Sequence, residues 1–306
     1  MDWCTQFDSE AAKYVPDVEI LKDEPMSRHT SFKVGGPAKR MAFPKNSEQV
    51  VFLANYAHAC GRDALILGNG TNLLIPDEGI DRLVIDMSTV APEIRVEGPG
   101  ILTANCGVSL SRLADYACKE GFQGFEFAHG IPGTLGGAIC MNAGAYGGEM
   151  SKVVLFVTAL FPGMGVRMLS SFNLDFGYRH SIFTDHPGAV LLQATLRLQP
   201  EGDYDQIRAT MRDLMERRKA SQPLEFPSAG STFKRPEGHY ASALIDQCGL
   251  KGLTVGGAQV SEKHAGFIIN TGTATSKDIL DLIRTVQERV KQQTGVQLEP
   301  EVKIVR

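Results

Sequence analysis

The sequence lacks an apolar run long enough to cross a bilayer. A span takes about 20 residues, and the best run here, Val153 to Phe161, amounts to one buried strand. It also lacks an excess of positive charge. Lys+Arg 31 against Asp+Glu 35 leaves a net charge of −4, which excludes a general nucleic-acid binder but not a single small basic pocket. A secretory start is missing too: residues 1–26 carry seven acids and two lysines, with no basic opening and no apolar block. The six cysteines (Cys4, Cys60, Cys106, Cys118, Cys140, Cys248) form no C-x-x-C pair. In such a chain they read as reduced thiols, mostly in the core. These absences point to a cytoplasmic protein without membrane insertion.

Several catalytic signatures are absent as well. The seven histidines show no H-E-x-x-H or H-x-H spacing, so no metal site is expected. There is no Walker A pattern, which excludes a P-loop NTPase. Ala229-Gly230-Ser231-Thr232-Phe233 misses both outer glycines of a nucleophile elbow, and Ser231 alone reads as a turn or cap serine.

What is present is an ordinary folded composition, with 306 residues, 43% apolar and 22% charged. That is enough for one large domain or two to three ordinary ones. Residues 1–26 read as a solvated leader with one helix. Asn46 or Ser47 can cap a helix that Gly61 ends, and Ser109 opens another that Gly121 closes. Strands are expected at Ala64–Leu67, Leu83–Ile85, Ile101–Ala104, Val153–Phe161 and Val190–Leu198. Asp203 and Gln206 resemble a capping box for a helix through Lys219, and a domain boundary is placed there. Beyond it come a Ser/Gly loop, strands around Leu253–Gln259 and Gly266–Ile269, a periodic helix from Ser276 to Gly295, and a last strand at Glu301–Val305. Strands and helices mix without a sustained βαβ beat, so the class is α+β.

Two glycine segments stand out. Gly68-Asn69-Gly70-Thr71-Asn72 follows a strand directly, but Leu73 sits where a Rossmann fingerprint needs its third glycine, and no helix follows. Alone, the segment reads as a turn. Residues 121–148 then hold nine glycines in 28 positions, including Gly130-Ile131-Pro132-Gly133-Thr134-Leu135-Gly136-Gly137 and Asn142-Ala143-Gly144. Glycine has an ordering cost, and such density is usual where a backbone or ligand must come close. The pair suggests one anion-binding cleft with two walls. Tyr178-Arg179-His180-Ser181 and Leu298-Glu299-Pro300-Glu301-Val302 are unremarkable by composition, and spacing alone promotes none of them.

Taken in order, HTSFKVGG (29–36), GNGTN (68–72), GIPGTLGG with NAGAYGGE, YRHS (178–181), GSTFKRP (230–236), KHAGFIIN (263–270) and LEPEV (298–302) resemble the UDP-N-acetylenolpyruvoylglucosamine reductase (MurB) family over residues 20–306. The resemblance implies an FAD-binding domain of the vanillyl-alcohol-oxidase (PCMH) type, built from two α+β subdomains, over residues 27–203. It implies a smaller α+β substrate domain over 204–306, whose last strand returns to the FAD domain. It further implies non-covalent FAD, NADPH as co-substrate, and a UDP-sugar whose enolpyruvyl ether is reduced to UDP-N-acetylmuramate for peptidoglycan.

Carried over residue by residue, the cofactor set is Gly68, Asn69, Gly70, Thr71, Asn72, Gly130, Ile131, Pro132, Gly133, Gly136, Gly137, Asn142, Ala143 and Gly144. The catalytic trio is Ser231, Arg179 and Glu301. Tyr178, Lys219, Lys234 and Asn270 fall to the substrate, and the protein is expected to be a monomer. The longer form of the family inserts a lid loop after the YR element. Here 13 residues separate Arg179 from Gln193, so that lid has no room, and Lys234, Arg235, Lys263 and His264 are candidates to cover the substrate diphosphate. Two alternatives stay open: an oxidase of the same FAD fold acting on an alcohol or sugar, and a non-catalytic nucleotide-sugar binder.

Overall fold

The computed structural model describes residues 2–305, which divide into two compact units. The first takes residues up to 23, then 39–69 and 82–216. The second takes 24–38, 70–81 and everything from 217 onward. The chain therefore alternates between units rather than filling one and then the other, unlike the linear division into 27–203 and 204–306.

Two sheets organise the first unit. In one, the strands Glu19–Pro25, Pro37–Phe43, Ile80–Asp86 and Leu65–Leu67 lie in that order, and Leu65 pairs in parallel with Val84. The helix Ser47–Ala59, capped by the Asn46 side chain accepting from the Gln49 N–H, packs Val50, Leu53 and Ala57 against Leu83 and Ile85. The other sheet is antiparallel, ordered Gly165–Ser170, Val154–Phe161, Val190–Arg197, Ile101–Asn105, Ile94–Gly98. Its core holds Leu102, Leu110, Phe125, Leu135, Leu196, Ile207 and Met211. Ile207 and Met211 belong to the helix Tyr204–Ser221, which Asp203 caps by accepting from the Gln206 N–H at 2.8 Å. The cap falls where expected, but the buried face of that helix belongs to the first unit, so the division comes after residue 216.

The expected solvated leader is not one. Residues Trp3–Tyr14 form a helix that buries Cys4 and sets Phe7 and Ala11 in the first unit's core, and Glu19–Pro25 is a sheet strand. Gly165–Ser170, a strand absent from the sequence reading, pairs along Val154–Phe161 at the sheet edge.

In the second unit a four-stranded antiparallel sheet runs Ser228–Ser231, Phe267–Asn270, Ala258–Val260, Thr254–Val255. The expected single strand at 253–259 is thus a hairpin. The long helix Ser276–Thr294 starts in a Thr275/Asp278 capping box and stops at Gly295, with φ of +77°. It packs Ile279, Leu282, Ile283, Val286 and Val290 into a core shared with Phe32, Val34, Leu74, Phe233, Ile245 and Ile268. The last strand, Lys303–Ile304, returns to the early chain by pairing in parallel with Leu73–Leu74, a segment that clusters with the second unit.

Candidate functional site

In the first unit the strand Leu65–Leu67 delivers Gly68 directly over Thr134. A Cβ at Gly68 would lie 2.4 Å from Thr134 Oγ1, and Asn69 Nδ2 donates to the Pro132 carbonyl at 3.3 Å. These contacts bring the start of the first glycine segment against the second. Thr134 also caps the short helix Leu135–Cys140, accepting from the Gly137 N–H. A threonine just before a helix start is a legible cap signal.

The glycines of these segments have different reasons to be glycine. A Cβ on Gly136 would press on Cys106 (Cβ at 3.0 Å, carbonyl oxygen at 3.2 Å), and one on Gly144 would meet the Gly148 carbonyl at 2.6 Å. Both positions are fixed by internal packing. Gly137 is exposed, and a Cβ there would meet only Thr134 Oγ1 at an ordinary 3.5 Å. Among the described residues no contact demands glycine at 137, so the lack of a side chain there fits an external group that comes close, as a dinucleotide does. Gly130, Ile131 and Gly133 are half-buried and Pro132 is exposed at the surface of the same loop. The Gly133 carbonyl is tied down by the Leu110 N–H at 2.9 Å. Behind the loop, burial pushes the Cys106 thiol far up, which leaves it an inert packing group.

Beyond the helix, Ala143 and Asn142 are both buried. Asn142 does not turn its amide outward: Nδ2 donates to the Gly177 carbonyl at 2.9 Å and Oδ1 accepts from the Ser151 N–H at 2.9 Å. Gly177 opens a two-residue turn in which Gly177 and His180 exchange N–H···O bonds of 3.1 and 3.3 Å. The tip of that turn is Tyr178-Arg179, with Arg179 at φ +54° and its guanidinium 5.2 Å from the Tyr178 ring centre.

In the second unit Gly70 has φ +62°, and a Cβ there would sit 2.0 Å from the His29 carbonyl oxygen. The loop's own backbone therefore demands glycine at 70. Asn72 Nδ2 donates to the Glu301 carbonyl at 3.2 Å, and the Glu301 N–H donates to the Thr232 carbonyl at 2.8 Å. The backbone of Glu301 is thus held on one side by the GNGTN loop and on the other by the residue after Ser231. Ser231 ends a strand with a bulge between Ser228 and Ser231, after Gly230 at φ +75°, and it is exposed. A bulge of this kind re-aims a side chain out of the sheet. Thr71 is half-buried.

Lys234 Nζ lies 3.5 Å from Glu299 Oε2 on the same paired segments. Lys219 is exposed near the end of its helix, and its carbonyl accepts from Lys263 Nζ at 2.7 Å. Arg235 stands over the Tyr240 ring at 4.5 Å. His264 is half-buried, accepts at Nδ1 from the Gly266 N–H, and burial lowers its pKa below the usual imidazole value. Asn270, assigned to the substrate by resemblance, is buried. It is 5% exposed, donates to the Phe32 carbonyl and accepts from the Gly272 and Ala274 N–H groups, so its amide holds a loop. Among the described residues no group of His, Cys, Asp and Glu could hold a metal ion, and no helix is long and apolar enough to cross a membrane.

Comparison with known proteins agrees with this architecture. Residues 38–166 match the FAD binding domain family, and residues 222–305 match the UDP-N-acetylenolpyruvoylglucosamine reductase C-terminal domain. The chain is 50% identical to UDP-N-acetylenolpyruvoylglucosamine reductase of Caldanaerobacter subterraneus over 293 residues, covering 94% of this chain and 96% of that one. It is 48% identical to the protein of that name from Limosilactobacillus reuteri, covering 95% and 96%. A solved structure of the enzyme from Thermus caldophilus superposes with a TM-score of 0.77 at 33% identity, covering 94% of this chain and 99% of that one.

Proposed function

The chain belongs to the UDP-N-acetylenolpyruvoylglucosamine reductase family, and from that premise we propose how its residues divide the reaction. The activity is an FAD-dependent reduction of the enolpyruvyl ether of a UDP-sugar at the expense of NADPH, giving UDP-N-acetylmuramate, a peptidoglycan precursor. Family membership favours it over an alcohol or sugar oxidase and over a non-catalytic binder. FAD, when bound, would supply the redox chemistry that links NADPH oxidation to hydride addition at C3 of the enolpyruvyl group. The residues fit that cofactor, because Gly137 leaves backbone bare where no internal contact requires it. Gly68–Asn72, Gly130–Gly137 and Ala143–Gly144 are assigned to hold it without a covalent bond.

The protein's own share is charge and proton management. Hydride addition at C3 leaves negative charge at C2, spread into the adjoining carboxylate, and the Arg179 guanidinium offsets it. Ser231 then gives its hydroxyl proton to C2, and Glu301 completes the trio by orienting neighbours or by protonation. The observation that carries this reading is the bracket around Glu301. Backbone bonds to Thr232 and from Asn72 tie it to the serine loop and to the GNGTN loop. Tyr178, Lys219 and Lys234 are assigned to the UDP-sugar, with Arg235, Lys263 and His264 as candidates over its diphosphate.

The test is the visible spectrum of the purified protein without oxygen. NADPH should bleach it and the UDP-enolpyruvyl sugar should restore it, and acid precipitation should free FAD into the supernatant. A colourless protein, or a flavin that only oxygen reoxidises, contradicts the assignment. NADPH and UDP-sugar chemistry, together with six cysteines outside any disulfide, support a cytoplasmic address; we take the protein as a monomer whose product feeds wall growth, and through it cell shape and division.

A further inference from the structure

Arg179 occupies an uncomfortable position. A non-glycine residue at φ +54° pays about 1–2 kcal/mol of backbone strain, so the turn that carries it must be held by its surroundings. Two anchors do this, one at each end. Asn142 Nδ2 donates to the carbonyl of Gly177, where the turn opens. Ser181, fully buried just after the turn, donates from Oγ to the Cys140 carbonyl at 2.6 Å. Both anchors reach the same three residues, 140–142, at the end of the helix that begins at Leu135. Asn142 is itself fixed by the Ser151 N–H at its other amide atom and sits at φ +43°.

We infer that Asn142 is a positioning residue for Arg179 and that its side chain is not a cofactor ligand. The glycine-rich segment would thus set the arginine as well as the flavin wall. The donor to Gly177 fixes where the guanidinium stands when charge develops on the substrate, and misplacement by about 1 Å can cost 10²-fold. This rests on the reading of Arg179 given above, so Arg179→Ala is measured beside it.

The variant of choice is Asn142→Gly, because glycine keeps the positive φ without strain. Asn142→Asp is the companion: its carboxylate still accepts from Ser151 but cannot donate to Gly177. Both should purify with FAD occupancy equal to the parent and be reduced by NADPH within about twofold of it. Reoxidation by the UDP-enolpyruvyl sugar should slow by roughly 10–10²-fold. Hydrogen exchange at the amides of Gly177 and His180 should speed up in both, a change that loss of a cofactor contact would not cause. Lost FAD occupancy with unchanged exchange at 177–180 overturns the inference and makes the side chain a cofactor ligand. Normal reoxidation in Asn142→Gly beside a slowed Arg179→Ala overturns the inference alone. Normal reoxidation in Arg179→Ala overturns the catalytic reading and the inference with it, whatever the exchange data give.

Discussion

A serine hydroxyl is a weak acid in water, so Ser231 can serve only if the acceptor is strongly basic and a nearby cation steadies the alkoxide left behind. That need arises only after hydride has reached the substrate. Ser231→Ala should therefore leave reduction by NADPH nearly intact while reoxidation by the enolpyruvyl sugar falls by roughly 10²–10⁴-fold. Ser231→Cys, which keeps a transferable proton, should retain more activity than Ala. Stopped-flow traces of the two half-reactions decide it, and equal slowing of both halves reduces Ser231 to a loop serine. The glycines allow a second test at this scale. Gly70→Val would wreck its loop through φ +62° and the His29 carbonyl whether or not a cofactor binds, so it says nothing about FAD. Gly137→Val places its Cβ in ordinary contact with Thr134 Oγ1, at 3.5 Å, and forces no clash there. It should keep the fold, shown by unchanged circular dichroism, and lose flavin occupancy. A fully yellow Gly137→Val protein would remove that wall from the cofactor. Glycine density in the sequence singles out the segment, but it cannot separate Gly137 from Gly136, because that difference lies in Cys106, thirty residues away in the chain.

Elements whose apolar stripe is wide were readable, and those with a narrow stripe or an exposed edge were not. The helix Ser276–Thr294 announced itself through five periodic apolar positions and the glycine, Gly295, that ends it. The helix Trp3–Tyr14 was expected but its burial was not: it buries only Cys4, Phe7 and Ala11 among polar neighbours, a narrow stripe outweighed in the sequence by the seven acids of residues 1–26. One of those acids is what docks it. Arg40 grips Asp8 with a fork, Nε to Oδ1 at 2.7 Å and Nη2 to Oδ2 at 2.9 Å, while Lys22 lies 3.0 Å from Oδ2. Burial alone would raise the pKa of Asp8, but the bonds from Arg40 and Lys22 outweigh it and lower the pKa below the usual carboxylate value. The folded form is thus favoured by ionised Asp8. This contribution is complete above the unfolded carboxylate pKa of about 3.9 and is lost as pH falls through the lowered folded value. Asp8→Asn should cost about 1.5–3 kcal/mol at pH 7, the range for bonds to charged groups, seen as a lower urea midpoint. The gap between variant and parent should close as pH drops below about 3.9. A gap that persists undiminished at low pH would show that the carboxylate charge is not what docks the helix. The missed strand Gly165–Ser170 failed for the opposite reason: its Val166 and Met168 face solvent at the sheet edge, so hydrophobicity carries no inward–outward alternation there.

At the scale of the whole molecule, the fold class and the family motifs are legible in the sequence, whereas the interleaving of the two units is not. Local patterns mark where helices start, whereas only packing shows that Phe32, Val34 and Leu74 share a core with Phe233, Ile268 and Ile283. The consequence is testable by truncation. A fragment ending at residue 203 would read, from the sequence alone, as an intact FAD-binding domain lacking its substrate domain. In the folded chain, however, Phe32 is 0% exposed, Val34 4% and Leu74 2%, and most of their core lies beyond residue 217. The cut strips that core away and also removes Ile207 and Met211 from the first unit. At about 1.5–3 kcal/mol per large buried side chain, the five losses together rival the roughly 5–15 kcal/mol that holds a typical domain folded. The fragment 1–203 should therefore show no cooperative urea transition, bind a hydrophobic dye, and retain no flavin. Substrate contacts are better probed in the full chain, where Lys234→Ala should raise the KM for the UDP-sugar and leave NADPH reduction of the flavin unchanged. A yellow, cooperatively unfolding 1–203 fragment would mean that residues 24–38 and 70–81 do not need their second-unit partners, and the interleaved division of the chain would have to be given up.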